Sequence, residues 1–161
     1  MINLREAGNM HNEKGFTLIE MLVVIIIIAT LMGIVLTGTL GFQSSARDTR
    51  RIGDLRKAQN FLELYFNMCG HYPGTADCSV KPVGGQIAWD TLKGVMIPKV
   101  TSQFPNEVSG KKYYYGVNSD GLSYTLGAEL ERDNSVLQDD IDDANSNGVG
   151  CADLVYCISS S

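Results

Sequence analysis

The sequence predicts an α+β fold, in which a long N-terminal helix packs on a small antiparallel sheet. An apolar run from Phe16 to Leu40, whose only ionisable residue is Glu20, predicts the first part of the helix. Runs of aromatic and β-branched residues on both sides of Asp120-Gly121 predict the sheet, because Asp-Gly between such runs is a strong hairpin signal. We therefore expect a helical stalk followed by a head that contains a β-hairpin.

The apolar run is long enough to cross a membrane. At a rise of about 1.5 Å per residue, a helix of roughly 25 residues exceeds the ~30 Å of a hydrocarbon core. The β-branched residues 23–28 would also suit a buried strand. In lipid, however, a helix satisfies its own backbone polar groups and an open strand does not. We assign residues 16–43 to a transmembrane helix.

A short charged leader, residues 1–15, precedes this helix and ends in Gly15. An ordinary secretory signal is cleaved after its apolar region, whereas here the small residue with charged neighbours lies before that region. The run Gly15-Phe16-Thr17-Leu18-Ile19-Glu20 resembles the class III signal of type IV pilins and type II secretion pseudopilins. The resemblance implies the pilin fold, cleavage between Gly15 and Phe16 by a prepilin peptidase, and methylation of the new Phe16 amine.

Glu20 would stand inside the membrane, where a lone carboxylate costs about 2.5–3.5 kcal/mol. Cleavage creates an α-amino group, mostly cationic at neutral pH, four residues before it. The resemblance implies that Glu20 meets the N-terminal amine of a neighbouring subunit and sets the axial step of a filament. The alternatives are pairing with its own amine or extension of the side chain to the membrane interface.

Residues 44–69 have an amphipathic helical pattern and are predicted to form a stalk helix. Apolar residues at steps of three and four form one stripe, which consists of Ile52, Leu55, Ala58, Leu62, Phe66 and Cys69. The other faces carry Arg47, Asp48, Arg50, Arg51, Asp54, Arg56, Lys57 and Glu63. We interpret these charges as a solvated or intersubunit ion-pair face. A nucleic-acid contact is disfavoured, because aspartates interrupt the basic cluster and the cluster contains no aromatic residue for stacking.

The remaining residues, 70–161, are predicted to form an extracytoplasmic globular head. Ile87–Lys93 is predicted to be one short helix, with Trp89 and Leu92 facing the core. The two strands of the hairpin are predicted at Tyr113–Val117 and Ser123–Leu130. The head also resembles, more loosely, the major pseudopilin of type II secretion.

All four cysteines, Cys69, Cys78, Cys151 and Cys157, lie beyond the membrane helix, as expected for an oxidising exterior. Because loop closure is easiest for near neighbours, we predict the pairs Cys69-Cys78 and Cys151-Cys157. The alternative pairing joins the tail to the end of the helix. A zinc site is disfavoured, because the spacings differ from the usual ligand pairs and only His71 is nearby.

An acidic loop, residues 133–153, contains six aspartates and no basic residue. Residues 143–148 match the opening of the calcium-loop pattern D-x-[DN]-x-[DN]-G, but Leu154 stands where that pattern has its closing glutamate. Pseudopilins often hold calcium in this part of the chain, so the resemblance raises the expectation of calcium; a solvated loop of Asp, Asn and Gly residues, common on exported surfaces, is the alternative. The candidate ligands are Asp139, Asp140, Asp142, Asp143, Asn145 and Asn147.

The distribution of basic residues disagrees with an external head. The leader has only Arg5 and Lys14, whereas Arg47, Arg50, Arg51, Arg56 and Lys57 follow the membrane helix. By the positive-inside rule, charge alone would place the C-terminal part in the cytoplasm. The processing signal and the cysteines indicate the opposite orientation, which we adopt.

We therefore expect a structural subunit of a type IV pilus-like filament rather than an enzyme. It would be anchored in the cytoplasmic membrane with its head outside, and would then enter an extracellular or periplasmic filament. The expected partners are copies of itself, prepilin peptidase, an inner-membrane assembly platform and, before assembly, membrane lipid; no cofactor is required, and Ca²⁺ is the one suggested. The alternatives are a type II secretion major pseudopilin and a monomeric membrane-anchored extracellular module that binds calcium or another ligand.

Overall fold

A computed structural model describes residues 15–142, 145–152 and 154–160. The chain divides into two compact units, residues 1–40 and residues 41–161. Its elements are α1 (Leu18–Cys69), β1 (Gly85–Ile87), α2 (Trp89–Lys99), β2 (Tyr113–Val117), β3 (Tyr124–Glu129), a 3-10 helix (Ser135–Gln138) and β4 (Val155–Ser159). The predicted α+β class is confirmed.

The first unit contains the apolar start of α1. Within it, Leu18–Val35 has a mean hydropathy of 2.9, and none of these residues is buried. By length and composition this segment can cross a membrane. The helix begins two residues after Phe16, because Thr17 acts as its N-cap: the Thr17 hydroxyl accepts a hydrogen bond from the Glu20 N–H at 3.3 Å.

The second unit contains one antiparallel sheet with strand order β1-β2-β3-β4. Strands β2 and β3 form the predicted hairpin, with Tyr115 opposite Leu126, and Gly121 at φ 74° makes the turn between them. Strands β1 and β4, which the sequence pattern did not reveal, flank this hairpin on either side. Strand β1 has only three residues and shows little periodicity, and both strands are defined by their pairing with β2 and β3.

The core lies between α1 and the sheet. Leu55, Ala58 and Leu62 of the predicted stripe are fully buried, whereas its outer members are only half-buried. Tyr65, which the predicted stripe omits, is also fully buried. Aromatic side chains fill much of the remaining space, including an edge-to-face pair of Tyr72 and Tyr124 with ring centroids 4.5 Å apart.

The short helix predicted at Ile87–Lys93 is partly wrong. Ile87 ends strand β1 and lies opposite Tyr115, so sheet pairing overrides its helical pattern. Helix α2 instead begins at Trp89 and continues to Lys99. Trp89 and Leu92 do face the core, as predicted, and the indole N–H of Trp89 donates a hydrogen bond to the Pro105 carbonyl at 2.9 Å.

Two disulfides join the cysteines in the pairing that the sequence favours. Cys69 is bonded to Cys78 with Cα atoms 5.1 Å apart, and Cys151 is bonded to Cys157 with Cα atoms 5.8 Å apart. The first connects the end of α1 to the loop that follows it. Gly70, at φ 73°, ends the helix in the left-handed conformation and donates its N–H to the Phe66 carbonyl at 2.7 Å.

Candidate functional site

The predicted cleavage site and the predicted assembly residue lie at the start of α1. Gly15 precedes the helix, and Phe16 is 75% exposed. The carboxylate of Glu20 reaches back over the first turn, where its Oε2 atom accepts from the N–H and the hydroxyl of Thr17, each at 3.4 Å. Together with the hydroxyl bond to the Glu20 N–H, this forms a capping box. The carboxylate therefore faces the N-terminal end of the helix, where cleavage would generate the amine.

The side chains of the apolar segment Leu18–Val35 are exposed all around the helix. Ile25 is 65% exposed and Ile34 is 72% exposed. A contiguous apolar surface of this length is stable only in lipid or against another apolar surface. The segment thus requires a membrane or further protein to cover it.

The charged residues at the start of the second half of α1 correct one prediction. Asp48, Arg51 and Asp54 were assigned to a solvated or intersubunit face, but they are only 1%, 0% and 6% exposed. Their contacts are within the chain. The reason is visible in the helical spacing, because Asp48 and Arg51 precede Leu55 by seven and four residues and therefore share its buried face. This spacing is the signal that sequence analysis missed.

An ion cluster connects α1 to Glu131, the second residue after β3. Arg51 donates from Nη1 to Asp48 Oδ1 at 2.6 Å, and from Nη2 to Glu131 Oε1 at 2.7 Å and to the Val108 carbonyl at 2.8 Å. The Glu131 N–H donates to Asp48 Oδ1 at 2.9 Å. Arg47 adds a hydrogen bond from Nε to Glu131 Oε1 at 2.7 Å. The cluster fixes the helix to the sheet through charge-assisted hydrogen bonds.

The arginines have a clear electrostatic effect on Glu131. Hydrogen bonds from Arg47 and then Arg51 lower the pKa of the Glu131 carboxyl from 4.5 to about 2. Glu131 was not among the residues singled out from the sequence, because nothing local marks it as the partner of residues some 80 positions earlier.

A second polar set joins the hydroxyls of buried tyrosines to carboxylates on α1. Tyr72 and Tyr124 donate to Glu63 Oε1 at 3.0 and 3.2 Å, and Tyr113 donates to Asp54 Oδ2 at 3.2 Å. Burial and the bond to Glu63 raise the pKa of Tyr72 to about 12. Burial, followed by the charge of Asp54, also raises the pKa of Tyr113. These tyrosines stay neutral and serve as hydrogen-bond donors throughout the physiological range.

Several of the predicted calcium ligands in the acidic loop make hydrogen bonds to other groups of the protein. Asp140 Oδ2 accepts from the Cys157 N–H at 2.8 Å, and Asn145 Oδ1 accepts from the Gly148 N–H at 2.8 Å. Asn147 donates to the Thr125 hydroxyl at 3.1 Å. Asp139 and Asp142 are exposed, and Asp143 lies outside the described residues. Within the described ranges no three acidic, histidine or cysteine side chains are grouped to hold a metal, so calcium binding stays a prediction.

Comparison with known proteins identifies the N-terminal region. The family described as prokaryotic N-terminal methylation motif matches residues 10–36. The chain is 35% identical over 63 residues to type II secretion system core protein G of Escherichia coli, an alignment that covers 39% of this chain and 43% of that protein. It is 45% identical over 56 residues to the type IV wide pilus major component PilA4 of Thermus thermophilus, covering 35% of this chain and 43% of that protein.

A third relative, type II secretion system core protein G of Aeromonas hydrophila, is 32% identical over 65 residues, which cover 40% of this chain and 46% of that protein. The chain thus spans less than half the length of each of these relatives. No solved structure matches it. The matched region is the one that contains Gly15, Phe16 and Glu20. The chain carries the prokaryotic N-terminal methylation motif, and its N-terminal region is similar to those of type IV pilins and type II secretion core proteins.

Proposed function

We propose that this protein is a structural subunit of a type IV pilus-like filament, processed by prepilin peptidase and polymerised through α1. One observation carries the proposal. The methylation motif, which matches residues 10–36, includes a membrane-length apolar segment, Leu18–Val35, in which no residue is buried and which contains a single carboxylate. Removal of the leader would leave this helix at the N-terminus, where it enters lipid first and a bundle of like helices afterwards.

The proposed role of Glu20 follows from the cost of its charge. In lipid or in an apolar bundle the carboxylate needs a cationic partner. The amine of processed Phe16 is the nearest cation that cleavage provides, and the described Glu20 side chain is turned toward that end of the helix. An amine from a neighbouring copy would neutralise the charge and fix the axial offset between copies. The capping box with Thr17 would hold the carboxylate in position until a partner arrives.

The proposal includes location and partners. Before assembly the subunit would be held in the cytoplasmic membrane by α1, with the disulfide-bonded head outside and lipid around the apolar segment. An inner-membrane assembly platform would then pass it into a periplasmic or extracellular filament. A short secretion pseudopilus and a surface pilus use the same helix, so the proposal covers both.

Intact mass spectrometry of sheared surface material and of the remaining envelope tests the processing. We expect one methylated species that begins at Phe16. Its presence in the sheared fraction indicates a surface pilus, and its restriction to the envelope indicates a secretion pseudopilus. A chain that still begins at Met1 in both fractions would refute the proposed processing.

The assembly role of Glu20 needs a matched pair of variants. Glu20→Ala is expected to abolish filaments while leaving the subunit in the membrane, and Thr30→Ala, which removes a hydroxyl that donates to the Ile27 carbonyl of the same helix, is expected to retain them. Filament yield and membrane-bound subunit are measured on the same cells. Normal filaments from Glu20→Ala would refute the assembly role of Glu20, and the absence of filaments from the wild-type protein would instead favour a monomeric membrane-anchored binding module.

A further inference from the structure

A cationic groove runs along one flank of the second half of α1. It has a volume of about 280 Å³ and lies between the helix and the loop of residues 103–106. Arg50 and Lys57 stand at its rim, and their side chains are 69% and 67% exposed. Phe61 and Phe104, with ring centroids 5.9 Å apart, also line it.

The carboxylate that faces these two cations in the groove forms ion pairs with both of them and also has a hydrogen-bond partner. Among the described residues, Asp54 is the one carboxylate that lines the groove. It is buried, accepts a hydrogen bond from Tyr113, and lies 3.4 Å from Lys57 Nζ and 3.8 Å from Arg50 Nε. Lys93 donates a hydrogen bond to Asn106, which lines the groove. The groove therefore has a net positive charge and suits an acidic protein segment.

The chain itself offers such a segment at residues 139–142, which read Asp-Asp-Ile-Asp. The central part of the segment is fixed: Asp140 accepts from the Cys157 N–H, and Ile141 packs on the buried cluster of Val149 and the second disulfide. Asp139 and Asp142 remain exposed on either side. They present two carboxylates from a backbone that is held in place.

The groove and the acidic segment lie on opposite flanks of the helix. Residues 50, 54, 57 and 61 face the groove, whereas Arg56 and Gln59 line a different one together with Asp139 and Asp140. At about 100° per residue, the buried Leu55 and Leu62 lie between these two flanks. One head therefore cannot bring its own acidic segment to its own cationic groove.

We infer that the cationic groove of one copy binds the Asp139–Asp142 segment of the next copy. The inference rests on the proposed function and specifies the contact between heads. Because different surfaces of the two copies meet, the contact is heterologous, and each added copy leaves one free groove and one free acidic segment. Such a contact propagates into a filament instead of closing a dimer, and complementary charge fixes its direction.

Charge reversal on full-length protein in cells that form filaments tests the contact. Arg50→Glu/Lys57→Glu is expected to lower the yield of sheared or envelope filaments by about tenfold or more, because like charges then face each other across the interface. Asp139→Lys/Asp142→Lys is expected to do the same, and combining all four changes is expected to restore assembly. Lys81→Glu/Lys99→Glu alters the net charge equally at exposed lysines outside the groove and is expected to leave the yield unchanged.

Photo-crosslinking gives a direct measurement that does not depend on charge variants. A photoreactive residue replaces Gln103, which is exposed at the groove, in subunits of normal isotope content mixed with heavy-isotope subunits. We expect crosslinks between light and heavy chains that map to the tryptic peptide beginning at Asp133. Three results would overturn the inference while leaving the filament subunit in place. They are crosslinks to other surfaces, charge-reversal variants whose filament yield equals that of the control, and a fourfold variant that does not restore the yield. Loss of wild-type filaments and of all crosslinks would overturn both.

Discussion

The two units of the molecule differ in the exposure of their apolar side chains. In the first unit, Ile25 and its neighbours are about half exposed or more, and none is buried by the chain itself. In the second unit, Leu55, Leu62 and Leu126 are fully buried between helix and sheet. The second unit therefore has a hydrophobic core of its own, whereas the apolar segment requires lipid or further protein to cover it. Under the proposed function, stability of the head and assembly through the segment should respond to different substitutions.

The buried ion cluster is where the head should be most sensitive. Arg51→Ala removes the partner of Asp48 in a site that excludes water, and an uncompensated buried charge costs about 3–5 kcal/mol. Denaturation in urea, followed by circular dichroism of detergent-solubilised protein, measures the loss. Arg50→Ala, at an arginine 69% exposed, is the control and should change the free energy of unfolding by less than about 1 kcal/mol. Equal effects of the two variants would contradict the cluster.

Truncation of apolar side chains tests the comparison directly. Leu62→Ala should lower the free energy of unfolding of the head by about 2–5 kcal/mol, because it leaves a cavity in the core. Ile26→Ala removes a similar side chain from the exposed segment and should leave head stability unchanged. The same denaturation assay compares the two. A destabilised head in Ile26→Ala would show that the two units are not separate.

Low pH should reduce the stability of the head, because Glu131 becomes protonated. Its pKa is lowered from 4.5 to about 2 by Arg47 and Arg51, so its contribution to stability is present above pH 4.5 and is lost as the pH falls toward 2. The free energy of unfolding of wild-type protein should fall through this window. Glu131→Gln should be less stable at neutral pH and show a flatter profile. Parallel profiles for the two proteins would exclude Glu131 as the responsible group.

Calcium binding should have the smallest effect and should be confined to the acidic loop. If the loop binds calcium, the ion raises the melting temperature by mass action and protects residues 133–153 from protease. Asp142→Asn should reduce both effects, whereas Asp90→Asn, at an exposed aspartate of α2, should not. Differential scanning calorimetry and limited proteolysis with and without calcium provide the measurements. Unchanged melting and cleavage in wild-type protein would refute calcium binding.

The sequence by itself determined the features that depend on neighbouring residues. Composition and length identify the apolar segment, and Gly15 to Glu20 identify the processing motif, because each is recognised within one short window. The β2-β3 hairpin follows from Asp120-Gly121, and loop closure favours the two disulfide pairs.

Tertiary structure alone decided the features that join distant parts of the chain. Strands β1 and β4 exist because the central hairpin offers two edges, and Ile87 becomes a strand residue by pairing with Tyr115. Arg51 points inward and bonds to the Glu131 side chain, and Asp48 accepts from the Glu131 N–H. In both contacts the two partners are 80 residues or more apart in the sequence. The physical reason is that a charged helix residue is stable in the core only when another element supplies its partner, and local sequence does not specify where that partner lies.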